Sequence, residues 1–298
     1  MTRLPRPIVA FIVALLVAIS SSVATADTLT VATYNVRNLF DVYDDPHQKD
    51  ETRPVKPREE LRAIAAAIRE MDADVVVLQE IENEATLRAF HRQLLPEQAY
   101  RVVLVSPTNS QHGVHLGVLS RLPIRRVTSH RTLRWQHDEK RHRFTRDLLQ
   151  LEIEISDEQR LQLFTTHFKS QRDGKPASRE RRLAEAQMAR QLINRQRERT
   201  PDDWILLAGD LNCVPDSPPL RHLTGGDAPL MDLHQHLPEA KRVTYLGREH
   251  RSTLDYLLAD PRLAARLDRS GTGVLQDETL LAGSDHAPAY ARFKLRDP

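Results

Sequence analysis

Trp204-Ile205-Leu206-Leu207-Ala208-Gly209-Asp210-Leu211-Asn212 decides how the rest of the chain is read. Its first five residues form an unbroken apolar run, the mark of a strand buried on both faces. An acid and an amide, two residues apart, then stand where that strand runs out. If the strand continues past Leu207, Asp210 and Asn212 leave the same face. A carboxylate can hold or activate a water, and an amide can orient it or the group it attacks. That pairing suits hydrolysis.

Working outward, other apolar runs also end in polar residues. Leu29 to Tyr34 reads as a strand leading into a loop, Asn35-Val36-Arg37-Asn38. Val75 to Leu78 is a second buried strand ending at Gln79-Glu80. Tyr100 to Val105, Leu116 to Leu119, Thr253 to Leu258 and Pro288 to Leu295 read as further strands. Asp147 to Ile155 alternates Leu149, Leu151, Ile153 and Ile155 with Gln150, Glu152 and Glu154, so one face is wet or packed differently. Leu161 to Thr166 is its hairpin partner and ends at His167. Helices are expected at 58–71, from Glu82 to Leu95, and as a long, very basic element at 176–199. Asp41 to Pro57 reads as a long surface loop. Hairpin-like strand pairs mixed with helices do not make a repeating βαβ unit. Two packed sheets with helices outside satisfy the pattern, an α+β fold.

The chain has 298 residues. Arg3 and Arg6, the uncharged apolar run Ile8 to Ile19, and Ala24-Thr25-Ala26 read as a signal peptide cleaved after Ala26. The apolar run is short for a membrane span, which needs about 20 residues. The expectation is an exported, periplasmic or extracellular monomer. Residues 27–298 form one domain, with no membrane span and no stable protein partner. Cys213 is the only cysteine, so no internal disulfide can form. It reads as a small buried filler rather than a nucleophile. The sequence holds 43 Lys and Arg against 41 Asp and Glu, and losing Arg3 and Arg6 leaves equal numbers. Net charge therefore makes no case for nucleic acid. Distribution does: nine Lys and Arg lie between Arg121 and Arg146, interleaved with His130, Trp135, His137, His142 and Phe144. Such a stretch suits a phosphate backbone with occasional base stacking.

If the sheets align their polar ends, Glu80, Asp210, Asp255, Asp285, Asn35, Asn212, His167 and His286 share one pocket. Asp255 lies inside the otherwise apolar run 252–258, and Ser284-Asp285-His286 precedes the last strand. So many acids point to a hard divalent cation with oxygen ligands: Mg²⁺, with Mn²⁺ or Ca²⁺ as alternatives.

The ordered set Thr33-Tyr34-Asn35-Val36-Arg37-Asn38, Leu78-Gln79-Glu80, Gly117-Val118-Leu119-Ser120-Arg121, Thr166-His167-Phe168, Gly209-Asp210-Leu211-Asn212, Leu254-Asp255-Tyr256 and Ser284-Asp285-His286 resembles the endonuclease/exonuclease/phosphatase superfamily. The resemblance covers about residues 28–295. It implies a four-layer αββα sandwich, with two packed, mainly antiparallel sheets flanked by helices, and metal-dependent phosphoester hydrolysis. By motif, it implies metal ligation by Glu80 with Asn35 and Asp285. It implies that Asp210 positions or deprotonates the attacking water and that Asn212 holds a phosphate oxygen. His286 contacts the phosphoryl group, oriented by Asp255, while His167 hydrogen-bonds a phosphate oxygen and Arg146 contacts substrate. Asn35-Val36-Arg37 lacks the second acid of the repair endonucleases, which speaks against base-excision repair. Asn38-Leu39-Phe40-Asp41 and His167-Phe168-Lys169-Ser170 are similar to a secreted bacterial nuclease-like branch. A nuclease acting on DNA or RNA is the first expectation. A phosphatase or phospholipase C on lipid or inositol phosphates is the second, and a non-catalytic binding module the third.

Overall fold

The computed structural model describes residues 27–43, 55–110, 112–171 and 174–296. The expected signal peptide and most of the expected loop from Asp41 to Pro57 lie outside them. In chain order the elements are β1 (Thr28–Leu39), α1 (Arg58–Met71), β2 (Val75–Ile81), α2 (Glu84–Leu94), β3 (Val102–Ser106), β4 (His115–Ser120), β5 (Ile124–Ser129), β6 (Trp135–His137) and β7 (Lys140–His142). They continue with β8 (Leu148–Glu154), β9 (Arg160–His167), α3 (Pro176–Arg199), β10 (Trp204–Asp210), α4 (Pro218–Thr224), β11 (Met231–Asp232), β12 (Asp255–Ala259), α5 (Pro261–Ala264), β13 (Leu267–Val274) and β14 (Ala289–Lys294).

Two six-stranded sheets result, ordered β13-β14-β1-β2-β4-β3 and β11-β12-β10-β9-β8-β5. Each has one parallel pairing, β1 with β2 and β9 with β10; the other pairings are antiparallel. The apolar strands are apolar because both faces are covered. Along β10, Trp204, Leu206 and Ala208 enter the core between the sheets, while Ile205 and Leu207 pack outward. Outside that sheet lie Ala186, Ala189 and Ile193 of α3 and Leu220 and Leu223 of α4. On the other sheet, Leu29 and Val31 face the inter-sheet core, and Ala32 and Tyr34 meet Ile64, Ile68 and Met71 of α1 and Leu87 and Phe90 of α2. The layers therefore run helix, sheet, sheet, helix, as the resemblance implied. Among the described residues no helix is long and apolar enough to cross a membrane.

Side-chain parity explains where the polar residues go. The inter-sheet rows of β1, β9, β10 and β12 continue past the last apolar residue into Asn35, His167, Asp210 and Asp255. The interior thus turns polar at one end of the sandwich. Two sequence expectations need correction here. Asn35 to Asn38 is not a loop: β1 runs on to Leu39, with Arg37 and Asn38 at φ 50° and 59° in a register shift against β2. And β10 stops at Asp210; Asn212 lies beyond it at φ 49°, so the two side chains do not share a strand face. The same device acts at Glu80. Its φ of 68° shifts the register, so that Ile81 rather than Glu80 takes the helix-covered face used by Val76 and Leu78. Glu80 is released toward the mouth of the sandwich.

Candidate active site

Asn35, Glu80, Arg146, His167, Asp210, Asn212, Asp285 and His286 line one cleft of about 1290 Å³ at that mouth. Asp255 is the one expected site residue that does not line it, and it stands directly behind His286. Register fixes the row: Asp210 pairs with Asp255 on one side and His167 on the other. Gly209 makes the close pairing possible. It sits at φ 152°, and a Cβ there would lie 2.1 Å from the Thr166 carbonyl oxygen.

Asp210 is the hub. Its Oδ2 accepts from Asn35 Nδ2 (3.0 Å) and faces His167 Nε2 (3.2 Å), with His286 Nε2 at 4.0 Å. Its Oδ1 accepts from the Asn212 backbone N–H (2.9 Å). His286 Nδ1 contacts Asp255 Oδ2 at 2.8 Å, and the other Asp255 oxygen is buried without a partner. Burial pushes the Asp210 carboxyl up to about 7, with the Asp255 charge adding to it and His286 opposing. Burial alone would depress His286, but Asp255, then Asp210 and Asp285, overcome it and raise the imidazole to about 10. His167 goes the other way. Burial, then the positive charges of Arg146 and His286, hold it well below its ordinary value, so it is neutral. Two histidines thus flank one acid in opposite charge states.

Arg146 is buried and donates from Nη1 to the Phe168 carbonyl (2.8 Å), while its Nε has no partner. Burial lowers its pKa, against the pull of Glu80, Asp210 and Glu185. Asn212 donates from Nδ2 to the Phe168 carbonyl (3.2 Å). Asp285 has a cation of its own, Arg37 Nε at 3.8 Å from Oδ2.

Two groupings bear on a metal. Asp210, Asp255 and His286 can bring one ligand atom each within 4.8 Å of one another. In that trio Nδ1 of His286 is taken by Asp255 (2.8 Å), its Nε2 faces Asp210 at the longer ion-pair distance of 4.0 Å, and a protonated imidazole does not ligate. Asn35, Glu80 and Asp285 instead offer only oxygen donors around the same cleft, which suits a hard divalent cation.

Of the other lining residues, Lys56, Tyr245 and His250 went unseen in the sequence, while Arg37, Arg143, Lys169 and Arg181 entered it only within motifs or basic stretches. Most sit in loops without periodicity, and Arg181 lies on a helix that reads as uniformly basic. The basic stretch from Arg121 to Arg146 proves not to be one patch. Arg121 pairs with Asp72 and caps the Tyr100 ring near the start of β2; Arg125 and Arg126 pair with Glu154 and Glu152. Trp135 packs on His142 and on buried Phe144, so these rings build the β6–β7 hairpin rather than a stacking platform. On α3, buried Arg182 and Arg190 bond the carbonyls of Lys169, Ser170, Leu223, Gly225 and Ala228. Cys213 is buried, and burial raises its thiol to about 12.

Comparison of whole folds gives matches of low identity and wide coverage. Truncated Caenorhabditis elegans TDP2 is 16% identical, with 90% of this chain and 98% of that chain covered at a TM-score of 0.62. D. rerio TDP2 complexed with single strand DNA product is 17% identical, with 90% and 99% covered at 0.63. The human Nocturnin catalytic domain with bound sulfate anion is 15% identical, with 90% and 94% covered at 0.60. These likenesses concern the fold. No curated protein sequence matches the chain. The sequence profile described as "Endonuclease/Exonuclease/phosphatase family" matches residues 30–228, which span β1 to α4 and hold Asn35, Glu80, Arg146, His167, Asp210 and Asn212. The chain therefore belongs to the endonuclease/exonuclease/phosphatase family of phosphoric ester hydrolases.

Proposed function

We propose that the protein is an exported, divalent-metal-dependent phosphodiesterase that hydrolyses nucleic acid with an activated water. The observation that carries this reading is the chain Asp255–His286–Asp210, in which one buried acid near neutrality faces a charged imidazole inside a cleft. Asp210, deprotonated above about 7, takes the proton of the attacking water. His286, protonated to about 10 and oriented by Asp255, neutralises charge on the phosphoryl oxygens. His167 and Asn35 hold Asp210 in place, since both meet its Oδ2. The motif resemblance gave His167 a phosphate contact; here its Nε2 is turned to Asp210, and the buried Arg146 Nε is the donor without a partner. Asn212, on the same cleft lining, would hold a phosphoryl oxygen. Glu80, Asn35 and Asp285 would hold Mg²⁺, which supplies charge neutralisation when bound.

Nucleic acid is favoured by the cations on the lining, Arg37, Lys56, Arg143, Arg146, Lys169 and Arg181. One structure of the same fold is described as holding a single-strand DNA product. Export rests on the basic and apolar segments before Ala26. The test is turnover of plasmid DNA, RNA, sphingomyelin and a chromogenic phosphodiester, with Mg²⁺ and with chelator. Chelator-sensitive cleavage of nucleic acid is expected. Turnover of lipid alone would replace this reading with the phospholipase one.

A further inference from the structure

Beside His286 the cleft has an aromatic wall. The Tyr245 ring meets the His286 ring at 5.1 Å and 61°, and the His250 ring meets Tyr245 at 5.2 Å and 48°. Both Tyr245 and His250 line the cleft; Tyr245 is half-buried and His250 exposed. The wall is held stiffly. Tyr245 and Ser252 exchange two backbone hydrogen bonds (2.8 and 3.1 Å), closing the loop 246–251. On its other side the segment is tied to the His286 loop, through Leu246 N–H to the Asp285 carbonyl (2.8 Å) and Ala287 N–H to the Thr244 carbonyl (2.6 Å). Gly247 folds directly over the ring edge; a Cβ there would lie 2.5 Å from Tyr245 Cε1. Nothing in the proposed hydrolysis uses these rings. A fixed aromatic surface one ring's width from a phosphate-contacting imidazole fits a planar group attached close to the phosphate.

We propose that Tyr245 and His250 form a stacking wall for the nucleobase next to the scissile phosphate, so that the substrate is a single-stranded nucleic acid. The inference rests on the nuclease reading and specifies its substrate. In a duplex each base is already stacked on its neighbours and offers only its edges. A base can lie on a protein ring only once it has left its stack, which a single strand allows freely and a duplex only at the cost of flipping the base out. Sequence tolerance follows, because every base has a π-face.

The test maps cleavage of a single-stranded oligonucleotide by the mature protein with Mg²⁺. Each base flanking the cleaved phosphate is then replaced in turn by an abasic spacer. For the wild type, removing one of the two bases should raise KM about tenfold, the scale of losing one base–aromatic stack. Tyr245→Ala should show the raised KM on the intact strand and lose the discrimination between intact and abasic strands. Tyr245→Phe should keep it. His250→Ala, altered at an exposed position, should lose part of it and guards against misfolding of the Tyr245 variant. A wild-type enzyme indifferent to both flanking bases, or a Tyr245→Ala enzyme with the wild-type ratio, overturns the wall alone. Failure of the wild type to cleave any nucleic acid overturns the nuclease reading and the wall with it.

Discussion

Asp255 touches no substrate-facing surface, yet it sets the charge of the residue that does. Its Oδ2 lies 2.8 Å from His286 Nδ1, and it is the foremost of the groups that outweigh burial and carry that imidazole to about 10. The pH profile should follow. Activity rises as Asp210 deprotonates through about 7 and falls as His286 loses its proton near 10. In Asp255→Asn the alkaline limb should move down by about 1–3 pH units, and the acid limb should also fall, since Asp255 helps hold Asp210 up. A kcat/KM profile from pH 5 to 11 checks both. Stability tracks the same proton. His286 has a folded pKa above its ordinary 6.5, so its contribution is complete below about 6.5 and is lost as pH rises through about 10. Denaturant midpoints at pH 6, 8 and 10 should fall in that order more steeply for the wild type than for Asp255→Asn. Gly209 is the other single residue on which the site depends. Gly209→Ala sets a methyl against the Thr166 carbonyl in a backbone conformation that disfavours it, and should cost about 2–3 kcal/mol.

Among the elements, α3 has a role that its composition conceals. It reads as a basic helix for nucleic acid, but its buried Glu185 accepts the Thr145 N–H (2.6 Å) and the Lys169 N–H (3.1 Å). It thereby holds together the segments that carry Arg146 and His167. Burial raises the Glu185 carboxyl, against its bonds from Thr145 and Lys169 and the charge of Arg146. Glu185→Ala removes the acceptor of both part-buried N–H groups, at about 1–3 kcal/mol each. It should raise KM as the Arg146 and Lys169 loops loosen, while Glu185→Gln keeps one acceptor and about half of the effect. The β6–β7 hairpin makes the opposite case. Trp135→Ala should lower Tm and leave KM for nucleic acid unchanged, because its ring packs on His142 and Phe144. Arg143→Ala, on the cleft lining, should raise KM and flatten its salt dependence. The sequence could not separate these cases. A count of cations along the chain does not record which carbonyls or carboxylates they meet in space.

At the scale of the whole molecule, the sandwich was legible because its central strands are apolar on both faces. Trp204 to Ala208 and Val75 to Leu78 admit no other placement than between a second sheet and a layer of helices. The site was legible because those rows end in acids, amides and histidines at matching ends of parallel-paired and antiparallel-paired strands. What escaped was everything set by backbone turns rather than by alternation. The left-handed residues Arg37, Asn38, Glu80 and Asn212 break the period-two pattern where the chain turns into the cleft. The loop that brings Tyr245 onto His286 carries no periodicity at all. β5, the hairpin β6–β7 and β13 were also unseen, their residues being exposed or mixed in polarity. In the proposed function one buried acid at the mouth of this sandwich drives phosphodiester hydrolysis. The most direct measurement is the Mg²⁺-dependent cleavage rate of single-stranded DNA by Asp210→Ala beside the wild type, with Tm recorded for both. A fall of about 10²–10⁴-fold in a protein that still unfolds cooperatively is expected, and equal rates for the two proteins would contradict the role of Asp210.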